Sequence, residues 1–209
     1  MAIVPSNLPK VYLARHGETA WTKTGQHTGR TDIPLTPDGE EDAKLIGLRV
    51  AHLTFSHVFT SPLQRAQRTS ELAGFAALVD ADLMEWDYGG YEGKKTVDIR
   101  KEHPGWQLLK HGAPNGETGA QVAARADRVI AKLKAMTGNI LVFAHGHYLR
   151  VFAARWIGAD VGLAEHLLLG TSSISVLYFD HGKLEEPAIM LWNDDRHLSG
   201  EGCVIPIKK

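Results

Sequence analysis

The sequence is poor in the features that mark secreted, membrane and nucleic-acid-binding proteins. Cys203 is the only cysteine among 209 residues, so no intramolecular disulfide forms and a cysteine-based zinc site lacks ligands. No run approaches the roughly 20 apolar residues of a spanning helix, and the first residues, MAIVPSNLPK, lack the pattern of a secretory signal. We therefore predict a cytoplasmic protein that does not contact membranes.

Charge of either sign is also not in excess. Lysine and arginine number 23 and the acids 24, for a formal net charge of -1. A nucleic-acid-binding protein usually carries a basic surplus, so we expect no nucleic-acid partner. The length suits one sizeable core, and we predict a single domain over residues 1–209.

Apolar runs and helix-capping signals alternate along the chain. This alternation predicts an α/β fold with a mostly parallel sheet and one antiparallel part near the carboxyl end. Thr36 and Ser61 are the expected helix caps. The predicted strands are 11–14, 57–60, 77–80, 140–144, 173–180 and 187–193. Loops are predicted over 17–34 and over 95–115, the second with short helical pieces, and a turn is expected at 181–182.

Basic side chains follow two of the predicted strands directly. Arg15 and His16 come after 11–14, His145 comes after 140–144, and a glycine follows each group. Ligands of open α/β sheets bind beyond the carboxyl ends of the strands. If the two strands are neighbours, these cations meet in one crevice.

A helix in SPLQRAQRT and an acid in MEWDYGG add to this crevice. Helix amino ends attract anions, and the guanidinium fork of arginine matches phosphate oxygens. Arg65 is preferred over Arg68 because it lies nearer the turn. Glu85 lies between Met84 and Trp86, an apolar setting that favours the protonated acid.

Together these motifs resemble those of the histidine phosphatase superfamily, also called phosphoglycerate mutase-like. The motifs are ARHGET, TGRTDIPLT, LTPDG, SPLQRAQRT, LMEWDYGGYEG, NGET and FAHGH, in this order. EWDYGGYEG and AHGHYLR are most similar to the short acid phosphatase and sedoheptulose-bisphosphatase branch. The resemblance implies a three-layer fold with a mostly parallel central sheet and helices on both faces.

The resemblance also implies catalytic roles. His16 is the expected nucleophile, with the Gly17 carbonyl fixing its other ring nitrogen. Arg15 and Arg65 are expected to hold the phosphoryl oxygens, with His145 as a further donor. Nearby cations would keep His16 neutral and able to attack. Glu85 is the expected acid and base.

Substrate contacts are implied at the rim of the site. Thr28 and Gly29 match phosphate-contacting loop positions, and Trp86 and Tyr88 match positions that would set selectivity. His147 fits the same rim or else faces water. Glu117 would cap a helix rather than react, and Thr22 stands where many members carry asparagine, so a hydroxyl replaces an amide there.

The favoured hypothesis is a phosphatase that hydrolyses small phosphorylated metabolites, sugar phosphates above all, without metal or cofactor. Four alternatives remain beside it: mutase-type phosphoryl transfer as the runner-up, a metallohydrolase using His145 and His147, a phosphate-binding module without turnover, and a nucleotide-dependent transferase. YEGKKT argues against the last, because Tyr88 stands where a phosphate-binding loop has its first glycine. The expected partner is a small phosphorylated substrate, and a homodimer is possible.

Overall fold

The computed structural model describes residues 8–199, so Cys203 lies outside the described residues. Within them one sheet has six strands in the order β3-β2-β4-β1-β5-β6. Strands β3, β2, β4 and β1 are parallel, whereas β5 is antiparallel to both β1 and β6. The predicted mixed sheet is confirmed. The strands are β1 (Lys10–Arg15), β2 (His57–Thr60), β3 (Leu78–Val79), β4 (Asn139–Ala144), β5 (Ile174–Phe179) and β6 (Pro187–Asp194).

Helices cover both faces of this sheet. They are α1 (Ala20–Thr24), α2 (Pro37–Val50), α3 (Gln64–Leu72), α4 (Thr96–Glu102), α5 (Leu108–His111), α6 (Gly119–Lys134) and α7 (Gly146–Trp156), with 3-10 turns at Ala81–Leu83, Gly89–Tyr91, Val161–His166 and Asp180–Gly182. Val11 and Leu13 of β1 pack with residues of α6 and α7. Tyr12 and Ala14 pack with residues of α2 on the opposite face. This alternation confirms the three-layer fold, because successive side chains of a strand point to opposite faces.

Of the caps predicted at Thr36 and Ser61, the first is present: the Thr36 hydroxyl accepts from the Gly39 N–H ahead of α2. Thr118, which was not predicted as a cap, forms a capping box with Gln121 ahead of α6. The prediction for Ser61 is wrong, because α3 begins at Gln64 after a residue that gives no side-chain cap. The Ser61 hydroxyl instead lies 2.8 Å from His145 Nε2, at the carboxyl end of the sheet.

The long loop predicted over 17–34 contains the five-residue helix α1. Thr19 and Thr22 cap this helix reciprocally, a pattern that the sequence prediction did not include. The short helical pieces expected in 95–115 are α4 and α5.

No helix in residues 8–199 is both long and apolar enough to cross a membrane. The domain bounds 1–209, the cytoplasmic location and the homodimer stay predictions.

Candidate active site

The two basic strand ends meet because β1 and β4 are parallel neighbours. Arg15 lies opposite Ala144 in the register, and the next residues along are His16 and His145. Their ring centroids are 5.1 Å apart, and both side chains are buried. The crevice expected from the sequence therefore forms at the carboxyl ends of the central strands.

The turn after β1 fixes the His16 ring. Its Nδ1 donates to the Gly17 carbonyl at 2.7 Å, which leaves Nε2 as the nitrogen with a free lone pair. Gly17 is needed there, since a Cβ would lie 2.4 Å from the Gly39 carbonyl oxygen. The Gly17 N–H also donates to Thr69 on α3, at 3.0 Å. These contacts aim Nε2 of His16 in one direction.

Burial and the nearby arginines keep both histidines of the crevice neutral. Burial lowers the pKa of His16 well below its usual value, and Arg65 and Arg15 lower it further. Burial is likewise the largest reason that the pKa of His145 is well below normal. We expected the neighbouring arginines to keep His16 neutral, whereas burial is the larger cause. A neutral imidazole is the form that attacks phosphorus.

The arginines of the crevice are fully or largely enclosed. Arg65 donates to the carbonyls of Thr28, Gly29 and Thr31 at 3.2, 2.7 and 3.0 Å. Arg15 donates from Nη1 to the Leu169 carbonyl at 2.5 Å. The Nε atoms of both arginines are buried without a hydrogen-bond partner. Unpaired buried cation donors of this kind suit an anion.

Arg68 does not reach the crevice. Its side chain is about half exposed and pairs with Glu40 at 2.9 Å on the outer face of α3. Arg65 and Arg68 therefore differ in environment although they lie on the same helix.

Glu85 lies against the amino end of α7. Its carboxylate accepts from the backbone N–H groups of Trp86 and Tyr148 at 2.8 Å each and of His147 at 3.1 Å. The side chain is buried and faces the cavity. We expected an apolar environment for Glu85 from its neighbours in the sequence. This prediction is wrong in detail, because backbone N–H groups at the amino end of α7 donate to the carboxylate.

A cavity of about 270 Å³ opens above His16. Of the expected rim residues, Thr28, Tyr88 and His147 line it. Gly29 does not line the cavity. Its N–H donates to Glu92 and its carbonyl accepts from Arg65. Position 29 nonetheless has to be glycine, because a Cβ there would lie 2.1 Å from Glu92 Oε1.

Trp86 is not at the rim either. It is fully buried, and its indole N–H donates to the Glu117 carbonyl at 2.9 Å. The indole is part of the hydrophobic core and does not line the cavity, so the role of Trp86 in substrate selectivity stays a prediction. Glu117 does not cap α6, as Thr118 does this, and it pairs with Arg125 at 2.7 Å instead.

Comparisons with known proteins agree with this geometry. The family model described as Histidine phosphatase superfamily (branch 1) matches residues 11–195. The chain belongs to the histidine phosphatase superfamily. It is thus a phosphatase, and the resemblance drawn from its motifs is confirmed.

Two curated relatives and one solved structure are similar over most of this phosphatase. An acid phosphatase of Mycobacterium tuberculosis is 39% identical, over 83% of this chain and 88% of the relative. A sedoheptulose 1,7-bisphosphatase of Saccharomyces cerevisiae is 33% identical, over 90% and 94%. The structure of an open reading frame product of M. tuberculosis matches with a TM-score of 0.84 and 37% identity, over 88% and 96%.

Several residues that line or brace the phosphatase cavity were either missed in the sequence or expected in another role. Ser61 contacts His145, as described above, and His27 and Arg150 line the cavity. Arg150 lies one helical turn after His147 on α7, a spacing that could have indicated a shared face. Thr22 also lines the cavity, but its hydroxyl donates to the Thr19 carbonyl at 2.9 Å. No sequence signal separated His27 from the surrounding loop.

The histidines of the cavity do not form a metal-ligand cluster. Among residues 8–199, the histidine and carboxylate groups close enough to share an ion are Asp180, His181 and Glu186, on the turn between β5 and β6. All three lie at the other end of β5 from the strand ends that carry His16. No such group of ligands within residues 8–199 includes His145 or His147.

Proposed function

We propose that this phosphatase hydrolyses phosphomonoesters of small metabolites, sugar phosphates above all, through a phosphohistidine at His16. One observation carries the proposal. Three residues surround His16 with buried polar atoms that lack a partner, namely Arg15 Nε, Arg65 Nε and His145 Nδ1. Buried polar groups are nearly always hydrogen-bonded, so an anion that bonds to them is the natural occupant.

In the first step His16 Nε2 attacks phosphorus. The Nε2–P bond forms while the ester P–O bond breaks, and the leaving alkoxide takes a proton from Glu85. Arg15 and Arg65 stabilise the charge on the phosphoryl oxygens during this step. Oε2 of Glu85 accepts from a single N–H, so it has capacity for the proton that it must carry.

In the second step water attacks the phosphohistidine. Glu85, now ionised, takes a proton from the water as the new P–O bond forms and the Nε2–P bond breaks. Inorganic phosphate leaves and His16 returns to its neutral form. The arginines supply the positive charge that a metal ion supplies in other phosphatases, which supports metal-independent chemistry.

The surroundings of the cavity support a small polar substrate. Its lining is rich in hydrogen-bonding side chains, including Thr22, Gln26, Thr28 and Tyr88. Its volume of about 270 Å³ suits a compact metabolite. Relatives named acid phosphatase and sedoheptulose 1,7-bisphosphatase support the same class.

The test compares two arginines of one helix in the presence of a chelator. We expect wild type to hydrolyse 4-nitrophenyl phosphate and a panel of sugar phosphates in excess EDTA. Arg65→Gln should lower kcat/KM by roughly 10² to 10³, whereas the matched control Arg68→Gln should stay within about twofold, as exposed ion pairs contribute little.

Three outcomes would contradict the proposal. Activity that vanishes in EDTA and returns with zinc or manganese would favour a metallohydrolase. Transfer of the phosphoryl group to an added alcohol or back to the substrate in preference to water would favour a mutase. Equal losses of kcat/KM in Arg65→Gln and Arg68→Gln would show that the crevice is not the site of the reaction.

A further inference from the structure

A single peptide group orients the guanidinium of Arg15. The Leu169 carbonyl accepts from Arg15 Nη1, at 2.5 Å. Opposite, α7 starts so close that a Cβ on Gly146 would lie 3.2 Å from the Arg15 guanidinium carbon. Leu169 belongs to the irregular segment 167–173 between the 3-10 turn Val161–His166 and β5. No strand ladder holds its carbonyl, so another contact has to do so.

That contact comes from Asn193. The N–H of Gly170 donates to Asn193 Oδ1 at 2.7 Å. This N–H and the Leu169 carbonyl belong to the same peptide group, which is planar and rigid. The chain of hydrogen bonds therefore runs from Asn193 through one peptide plane to Arg15. Such chains polarise each bond, so the contact both aims the carbonyl and strengthens it as an acceptor.

The backbone around Asn193 is shaped to present this side chain. Ile174 pairs with Asp194 and Val176 pairs with Leu191, so Ser175 faces two residues of β6. This β-bulge contains Asn193, whose φ of 55° lies in the left-handed region. Asparagine tolerates that conformation better than most residues, and bulges near active sites re-aim side chains. The Asn193 N–H donates to the Ser175 hydroxyl at 3.0 Å and closes the bulge.

The next residue anchors the bulge to the opposite layer. Asp194 forms a buried ion pair with Arg49 of α2, and their side chains are 3% and 0% exposed. The bulge is therefore held from the strand on one side and from a helix on the other. A rigid support of this kind can transmit a fixed geometry to a neighbouring loop.

We propose that Asn193 is a positioning residue for the phosphate-holding Arg15. It acts through the Leu169–Gly170 peptide and does not touch the substrate. The inference rests on the proposed function, because it takes Arg15 as a phosphate ligand.

The experiment separates the side chain of Asn193 from its backbone. Asn193→Gly keeps the positive φ and deletes the acceptor, whereas Asn193→Ala deletes the acceptor and also strains the backbone, so the difference in stability between the two variants reports the backbone alone. Asn193→Asp keeps an acceptor and is the conservative variant. Trp192→Phe is the matched control, because the Trp192 indole N–H donates at 2.7 Å to the Leu168 carbonyl in the same segment but not to the peptide that holds Arg15.

The measurements are kcat, KM and the inhibition constant of inorganic phosphate, with thermal unfolding recorded beside them. We expect the deletions to raise the phosphate inhibition constant and to lower kcat/KM by about tenfold, the usual consequence of losing one buried hydrogen bond. Asn193→Asp and Trp192→Phe should stay within about twofold. A fall in unfolding temperature with unchanged phosphate binding would overturn the proposal, and so would an equal loss in Asn193→Asp.

A double-mutant cycle with Arg15→Ala distinguishes a failure of the role proposed for Asn193 from a failure of the role proposed for Arg15. If Asn193 acts through Arg15, deleting Asn193 in the Arg15→Ala background should change phosphate inhibition by less than about twofold. Independent, additive losses would overturn the proposal. If Arg15→Ala by itself leaves phosphate inhibition unchanged, the proposed function of Arg15 fails, and the role of Asn193 fails with it.

Discussion

Replacing Glu85 by glutamine should separate bond cleavage from proton transfer. The carboxylate accepts three backbone N–H groups, two at Oε1 and one at Oε2. An amide oxygen can take the place of Oε1. The amide nitrogen then faces the His147 N–H, and two donors oppose each other.

The cost to stability follows from that single opposed pair. Losing a charge-assisted hydrogen bond and leaving one buried donor unpaired costs about 1.5 to 3 kcal/mol. For a chain of this length that corresponds to a fall in unfolding temperature of roughly 3 to 12 °C. Glu85→Gln should therefore remain folded at 25 °C, where its kinetics are measurable.

The kinetic effect should depend on the leaving group. For a sugar phosphate the leaving alkoxide needs a proton, so kcat/KM should fall by roughly 10² to 10⁴. For 4-nitrophenyl phosphate the phenolate leaves without a proton, and kcat/KM should fall by less than about tenfold. The assay is kcat/KM for both substrates, because this ratio reports the steps up to departure of the leaving group.

Glu92→Gln is the matched control. The Glu92 carboxylate also accepts several backbone N–H groups, those of Gly29, Arg30, Thr31 and Tyr88, but Glu92 does not line the cavity above His16. We expect a similar loss of stability and the same change in kcat/KM for both substrates. Equal losses for both substrates in Glu85→Gln itself would refute the role of Glu85 as the acid.

Further predictions concern the support of the site and its pH dependence. Arg49→Met leaves Asp194 buried beside fewer cations and should lower the free energy of unfolding by about 3 to 5 kcal/mol in urea. Gly17→Ala forces the backbone away from Gly39 and should lower kcat/KM by about 10². Burial, then two arginines, lowers the pKa of His16, so kcat/KM should show no acid limb near pH 6.5. Stability should decline as the pH falls below about 6.5, because the unfolded chain takes up protons that the folded chain refuses.

Each of these has a clear contrary result. An Arg49→Met variant as stable as wild type would show that the buried pair contributes little. Full activity in Gly17→Ala would show that the turn after β1 tolerates a side chain. An acid limb of kcat/KM centred near pH 6.5 would contradict the lowered pKa of His16.

The parts of the site that depend on local pattern were predictable. Arg15, His16 and His145 follow apolar strands directly, and parallel neighbouring strands end at one edge of a sheet. The glycine at position 17 permits a close approach of the backbone, and Thr36 caps its helix through a contact within one turn. Short-range geometry decides each of these features.

The parts that depend on distant contacts were not. Ser61 looked like a helix cap, but its hydroxyl contacts His145, 84 residues away. The neighbours of Glu85 in the sequence indicated an apolar environment, yet two backbone N–H groups of α7, 62 and 63 residues away, donate to its carboxylate. Trp86 looked like a rim residue, and packing places its indole in the core instead. Side-chain direction at such positions follows the packing of whole elements.

The most direct test of the account is to trap the covalent intermediate. Mixing Glu85→Gln with 4-nitrophenyl phosphate should accumulate phosphoenzyme, because the leaving group departs while water lacks its base. After rapid quenching at alkaline pH, mass spectrometry should find one phosphoryl group on the peptide containing His16, labile to acid and absent from His16→Ala. Label on another residue, label that persists in His16→Ala, or turnover with no phosphoenzyme at any time would contradict His16 as the nucleophile.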